Sequence, residues 1–145
     1  MRYYSIPMKA GEALFLFFTR EGLSMARMAR ACTFDRETFS KILKGTVNPP
    51  SEKLKVIEDE TDGMVKVEYW GATQGEWLVE LTPGEHLQLL VRRTGKPIAE
   101  FCRRTGIDPT RLSSIMHGRI VTPTENEQRI IGNKFKELRN AWRDA

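Results

Sequence analysis

Leu14, Phe17 and Phe18 recur at helical spacing between Gly11 and Glu21, and Gly22 stops the pattern. Ser24 is an N-cap residue type ahead of a short second helix, Met25 to Ala31. Cys32-Thr33-Phe34 then reads as a turn, and Asp35 as the cap of a third helix, Arg36 to Lys44. Phe39, Ile42 and Leu43 form its apolar face, and Gly45 stands at its C-terminal stop. Asn48-Pro49-Pro50-Ser51 opens a fourth helix through about Glu60. The same order then returns. Pro83 to Thr94 is closed by Gly95, Pro97 to Arg104 leads into the turn Thr105-Gly106-Ile107, and Asp108 caps a helix from Pro109 to His117. Gly118 ends that helix and Thr122-Pro123 starts the last one. Ile130, Ile131, Phe135, Leu138 and Trp142 make an apolar stripe that predicts a helix extended to the C-terminus. Such a stripe serves either as core or as a dimer contact.

The recurrence is an internal repeat. A shift of 73 residues lays Gly11-Glu12 on Gly84-Glu85, Ala26 on Ala99, Asp35 on Asp108, Ile42 on Ile115 and Gly45 on Gly118. Over positions 11–57 it gives 15 identities in 47 positions without a gap. Mismatches are often apolar for apolar, as in Phe34/Ile107 and Leu43/Met116. Two copies of one small helical domain are therefore expected, over 1–63 and 83–145. Between them, Met64 to Trp70 and Glu76 to Leu81 alternate in a β-branched and aromatic pattern around a turn-like stretch, Gly71 to Gly75. This predicts a β-hairpin connector over 64–82, with an irregular linker as the alternative. The shift also lays Tyr4, Ile6 and Met8 over Trp77, Val79 and Leu81, so Arg2 to Met8 reads as a further strand, confined to an edge by Pro7. The expected fold class is mainly α: two tandem small domains with a short hairpin between them.

Within each copy, a short helix, a tight turn, a short helix, a glycine and a further helix follow one another. The residues concerned are L-S-M-A-R-M-A-R-A-C-T-F-D-R-E-T-F-S-K-I-L-K-G at 23–45 and K-P-I-A-E-F-C-R-R-T-G-I-D-P-T-R-L-S-S-I-M-H-G at 96–118. Each stretch resembles the Cro/CI (phage repressor-like) helix-turn-helix family. Ala26/Ala99, Phe34/Ile107, Phe39/Leu112, Ile42/Ile115 and Gly45/Gly118 supply that family's pattern. The resemblance covers roughly residues 10–60 and 83–131. Copy one departs from it by carrying Thr33 where copy two has Gly106, and the central hairpin is not part of the family's basic unit. The resemblance implies binding to duplex DNA with the third helix of each copy in the major groove. Away from the apolar stripe, that helix offers Arg36, Glu37, Thr38, Ser40 and Lys41 in copy one, and Thr110, Arg111 and Ser114 in copy two. These are base-reading types: cations pair with guanine, Glu accepts from cytosine N4, and hydroxyls adapt to either strand. A merely solvated helix face is the plain alternative.

Charge changes the picture further. The 145-residue chain has a net charge of +4, which alone says little. Its distribution says more. Residues 20–44 carry a local +3 and residues 92–119 a local +5, whereas residues 52–68 carry −3. Arg27, Lys44, Lys96, Arg103, Arg104, His117 and Arg119 are the expected phosphate contacts. His117 is equally suited to a role at the C-terminal end of its helix. Two cysteines and two histidines make neither a disulfide framework nor a metal site. Cys102 is expected in the core, and Cys32, near the turn, to be more exposed. No phosphate loop and no nucleophile–base set is present, so neither an enzyme nor a cofactor is expected. No apolar run approaches the ~20 residues of a membrane helix, and no signal-peptide cleavage site follows the N-terminal apolar stretch; a cytoplasmic protein with no membrane partner is expected. The functional expectation is a sequence-specific transcriptional regulator, most like a phage or mobile-element repressor. The alternative is a protein-interaction module on the same fold, an inhibitor or antitoxin. A homodimer through the hairpin or the last helix is a further possibility for its assembly.

Overall fold

Capping chemistry sets where the helices begin. The computed structural model describes residues 3–71 and 78–143. Among them, Ser24 Oγ accepts the Arg27 N–H at 3.1 Å, Asp35 Oδ1 the Thr38 N–H at 2.7 Å, and Asp108 Oδ2 the Thr110 N–H at 2.9 Å. Each satisfies an N–H that the first helical turn leaves open. The resulting order is β1 (Tyr4–Pro7), α1 (Ala10–Arg20), α2 (Met25–Ala31), α3 (Arg36–Lys44) and α4 (Ser51–Glu60). A 3₁₀ turn follows at Val67–Trp70, then β2 (Leu78–Leu81), α5 (Pro83–Arg93), α6 (Ile98–Thr105), α7 (Pro109–Met116), α8 (Glu125–Lys134) and a second 3₁₀ turn at Lys136–Leu138. The molecule is mainly helical, with a two-stranded antiparallel sheet made by β1 and β2. Shifted by 73 residues, α1 and α5 coincide end to end, and the other three pairs agree within one residue at each end.

The chain divides into two compact units, Pro7–Val79 and a second made of Met1–Ile6 with Glu80–Ala145. In the first, Leu14, Phe18, Met28, Phe39, Ile42 and Ile57 are buried. Phe18 and Phe34 both approach the Phe39 ring, with centroids 6.2 and 6.1 Å away. In the second, Leu87, Phe101, Leu112, Ile115, Ile131, Leu138 and Trp142 share one core, and Phe101 stacks on Phe135 at 5.7 Å. Tyr4 packs against this core, its ring 5.0 Å from that of His86. His86 is buried, and its Nδ1 has no hydrogen-bond partner among the described residues.

The repeated Gly-Glu pair has one purpose per residue. A Cβ on Gly11 would sit 2.6 Å from the Ile42 carbonyl oxygen and 2.7 Å from that of Leu43. One on Gly84 would fall on the Ile115 carbonyl and lie 2.9 Å from that of Met116. Glycine is therefore what lets the first helix of each copy abut the end of the third. The glutamate closes the cap: Glu12 accepts the Lys9 N–H, and Glu85 the Thr82 N–H, each at 3.0 Å.

Three expectations are corrected. Among the described residues no hairpin joins the copies: Val67–Trp70 is a 3₁₀ turn, and β2 pairs with the N-terminal β1. Over so few residues the alternation of 64–70 reflected single anchors. Val65 is fully buried and donates its N–H to Thr61 Oγ1 at 3.1 Å, which holds the chain against α4 instead of extending it. The expected turn and the start of the second strand fall on 72–77, outside the described residues. The last helix is not extended: it stops at Lys134, Phe135 turns to φ −126°, and Leu138, Ala141 and Trp142 fold back into the core of their own unit. Cys32 is fully buried. Burial, reinforced by Glu60, pushes its thiol up to about 11.

Candidate nucleic-acid interface

The turn before each third helix needs one residue in the left-handed region. Copy two puts Gly106 there, at φ +76°, and copy one puts Thr33 there, at φ +61°. A β-branched residue in that region is strained. Lys53, on α4, braces it: its ammonium donates to the Thr33 hydroxyl and lies 5.7 Å from the centre of the Phe34 ring. The bracing lysine is 20 residues downstream of the turn, and nothing in the local pattern marks it.

The turn aims α3. Its buried line is Phe39, Ile42 and Leu43, and the line opposite presents Glu37, Lys41 and Lys44, all exposed. Arg36 is exposed on one flank, while Thr38 and Ser40 are half-buried. The Thr38 hydroxyl donates to Asp35 Oδ2 at 3.1 Å, so it serves the cap. Thr38's backbone N–H and hydroxyl together hold the Asp35 carboxyl below its usual range. Lys41 and Glu37 form an exposed pair at 3.5 Å, one turn apart. Such a surface pair is weak and opens at little cost when a partner arrives.

The corresponding line on α7 is Thr110, Ser114 and His117: two hydroxyls and an imidazole in place of one acid and two lysines. His117 lies at the C-cap, and burial, then the nearby Arg119 charge, lower its pKa. Arg111 is placed differently from what its sequence position implies. Its guanidinium forks onto Glu127 of α8, Nε to Oε2 at 2.6 Å and a terminal nitrogen to Oε1 at 2.7 Å. Glu127 is 8% exposed and also accepts the Thr124 N–H at 2.9 Å. The Arg111 hydrogen bond, first of its causes, brings the Glu127 carboxyl down to about 2. An arginine held in this bidentate way is committed to the fold. The signal for Glu127 was in the sequence: Thr124-x-x-Glu127 is a capping box, immediately past the expected start at Thr122-Pro123.

Of the remaining cations, Arg27, Lys44, Lys96, Arg103 and Arg119 are exposed, and none is in an ion pair among the described residues. Arg104 pairs with Glu100 at 3.1 Å within α6. These five exposed cations lie on α2 and α3, or on α6 and the loops beside α6 and α7. Among the described residues no group of His, Cys, Asp and Glu is arranged to hold a metal, and no helix is long and apolar enough to cross a membrane. No protein-family model, curated protein or solved structure matches the chain.

Proposed function

We propose that the chain is a sequence-specific duplex-DNA-binding regulator, built from two tandem helix-turn-helix domains of the Cro/CI type, and acting as a repressor of the kind phages and mobile elements carry. One observation carries this reading. The same short helix, left-handed turn and exposed helix occur twice at a spacing of 73 residues, with unpaired cations beside each exposed helix. In this reading α3 and α7 enter the major groove, and Arg27, Lys44, Lys96, Arg103 and Arg119 hold phosphates.

The copies contribute unequally. Glu37 and Lys41 reach further toward base edges than Thr110 and Ser114, and Arg111 is engaged by Glu127. Copy one is therefore the finer discriminator, and copy two adds affinity through phosphates. The test is enrichment of bound sites from random duplexes, followed by titration in salt. With on the order of 6–10 phosphate contacts, affinity should fall about 10³–10⁵-fold between 50 and 200 mM salt. A flat salt response with no enriched site would favour the protein-interaction reading.

A further inference from the structure

In the C-terminal unit, on α8 and the turns that follow it, a cleft of about 600 Å³ opens. Three arginines line it: Arg129, Arg139 and Arg143. None of them belongs to the DNA-facing sets on α6 and α7, and none is in an ion pair among the described residues. Among the described residues Glu125 is the one acid in the lining, against three arginines.

The cleft is built into the fold. Gly132 makes room for Arg139, since a Cβ there would meet the Arg139 Cγ at 3.2 Å. Arg139 Nε in turn reaches the Gly132 carbonyl at 3.4 Å. The next residue, Asn140, takes the left-handed conformation at φ +65°, which a non-glycine residue adopts at a cost. Gln128 donates to the Pro123 carbonyl at 2.8 Å, and its amide oxygen is left to accept. Asn140 supplies a second amide and Trp142 an apolar edge.

We propose that this cleft binds a phosphate ester of nucleotide size. Guanidinium forks match phosphate oxygens, and among the described residues these three arginines have no carboxylate partner, Arg129 donating to Asn126 Oδ1 at 2.6 Å and Arg139 to the Gly132 carbonyl. The volume is that of a small-molecule site and far larger than a bare phosphate fills. The side-chain amides provide paired donors and acceptors for a heterocyclic body. The C-terminal unit would then respond to a small phosphorylated ligand, through residues separate from those that read duplex DNA.

The test titrates the full chain with adenosine 5′-monophosphate, adenosine, inorganic phosphate and sulfate at matched ionic strength, and follows the Trp142 indole resonance, identified with Trp142→Phe. The mononucleotide should bind more tightly than the other three and shift that resonance. Arg129→Gln with Arg143→Gln changes two exposed side chains and should weaken mononucleotide binding about tenfold or more. Binding no tighter than that of adenosine or sulfate overturns the proposal, as does binding that the double variant leaves unchanged. Duplex affinity is measured alongside. If the double variant weakens the duplex and the mononucleotide never binds, these arginines are duplex phosphate contacts and the cleft is no ligand site. If the duplex alone fails to bind, the DNA reading falls and the cleft stands.

Discussion

The two copies share a backbone plan and differ in what they bury and what they show. At three equivalent positions copy two carries an ionisable side chain where copy one does not: Ala13 against His86, Leu54 against Glu127, and Thr38 against Arg111. Along the exposed line of the third helix the contrast reverses, with Glu37, Lys41 and Lys44 against Thr110, Ser114 and His117. At these positions copy two commits its polar groups to its own core, and copy one displays charge. The repeat thus preserves what the backbone demands, while polar side chains drift between structural and displayed roles.

The largest expected effect tests the shared plan. Gly11→Ala and Gly84→Ala each drive a methyl into backbone carbonyls that cannot rotate away. Each should cost about 2–3 kcal/mol, despite alanine's better helix propensity. Chemical melts of the two variants should agree closely. Tolerance of one and collapse of the other would mean that the first and third helices approach differently in the two copies.

The next effect separates the copies by pH. Glu127 titrates at about 2 when folded and near its ordinary carboxylate value when unfolded. Its stabilisation is therefore full above about pH 4.5 and is lost as pH falls toward 2. Glu127→Gln should cost about 2 kcal/mol at pH 7, less than a fully buried pair because Arg111 is 45% exposed. Replacing both partners by copy one's residues, Arg111→Thr with Glu127→Leu, should recover most of that loss. His86 adds a second window. Burial, and secondarily Arg93, hold its pKa below the ordinary imidazole value against the pull of Glu137. The unfolded chain therefore takes the proton first, and stability declines as pH drops below about 6.5. His86→Ala, copy one's residue, should remove that slope between pH 6.5 and 5. Amide exchange followed in each unit at pH 7 and pH 5 would show whether the sensitivity is confined to the C-terminal one.

Much of this contrast was legible in the chain and some was not, for reasons that lie in range. Ser24, Asp35 and Asp108 cap helices within three residues of themselves, so those starts could be read from local chemistry. The repeat made Gly11 and Gly84 conspicuous, but their purpose needed carbonyls some 30 residues away. Arg111 sits where a base reader would sit, and only a partner 16 residues on shows that its fork is taken. The hairpin and the extended last helix failed for one reason: Val65, Leu138 and Trp142 were apolar because their own unit's core needed them, and the periodicity around them was incidental. Cys32 failed because a turn position was equated with exposure.

A smaller effect tests the displayed side. Lys41→Ala should relax sequence preference by about 1–2 kcal/mol at one base pair of the enriched site, while Ser114→Ala should leave that site's consensus unchanged. Arg111→Ala should lower stability and leave the sequence preference alone. If Arg111→Ala instead erases preference at one position, the Glu127 pair opens on the duplex, and copy two reads sequence as finely as copy one.

The smallest effect is at the turn. Thr33 occupies a left-handed position that copy two gives to Gly106. Thr33→Gly relieves a cost on the order of 1–3 kcal/mol for a side chain held there. Against this stand the greater chain entropy of glycine, about 0.5–1 kcal/mol, and the loss of the exposed hydroxyl's bond to Lys53. The balance is a net stabilisation of about 0.5–1 kcal/mol. Gly106→Thr, lacking any such lysine, should cost more than Thr33→Gly gains, because position 126, which corresponds to Lys53, is Asn126. Lys53→Ala isolates the brace. If the bond to the Thr33 hydroxyl is what the lysine chiefly supplies, Lys53→Ala should destabilise the natural chain by several tenths of a kcal/mol and the Thr33→Gly variant by clearly less. Equal losses in both backgrounds would mean that Lys53 acts through what the glycine variant keeps, the Phe34 ring and the carbonyl of residue 33, and that copy one holds its turn without the threonine hydroxyl.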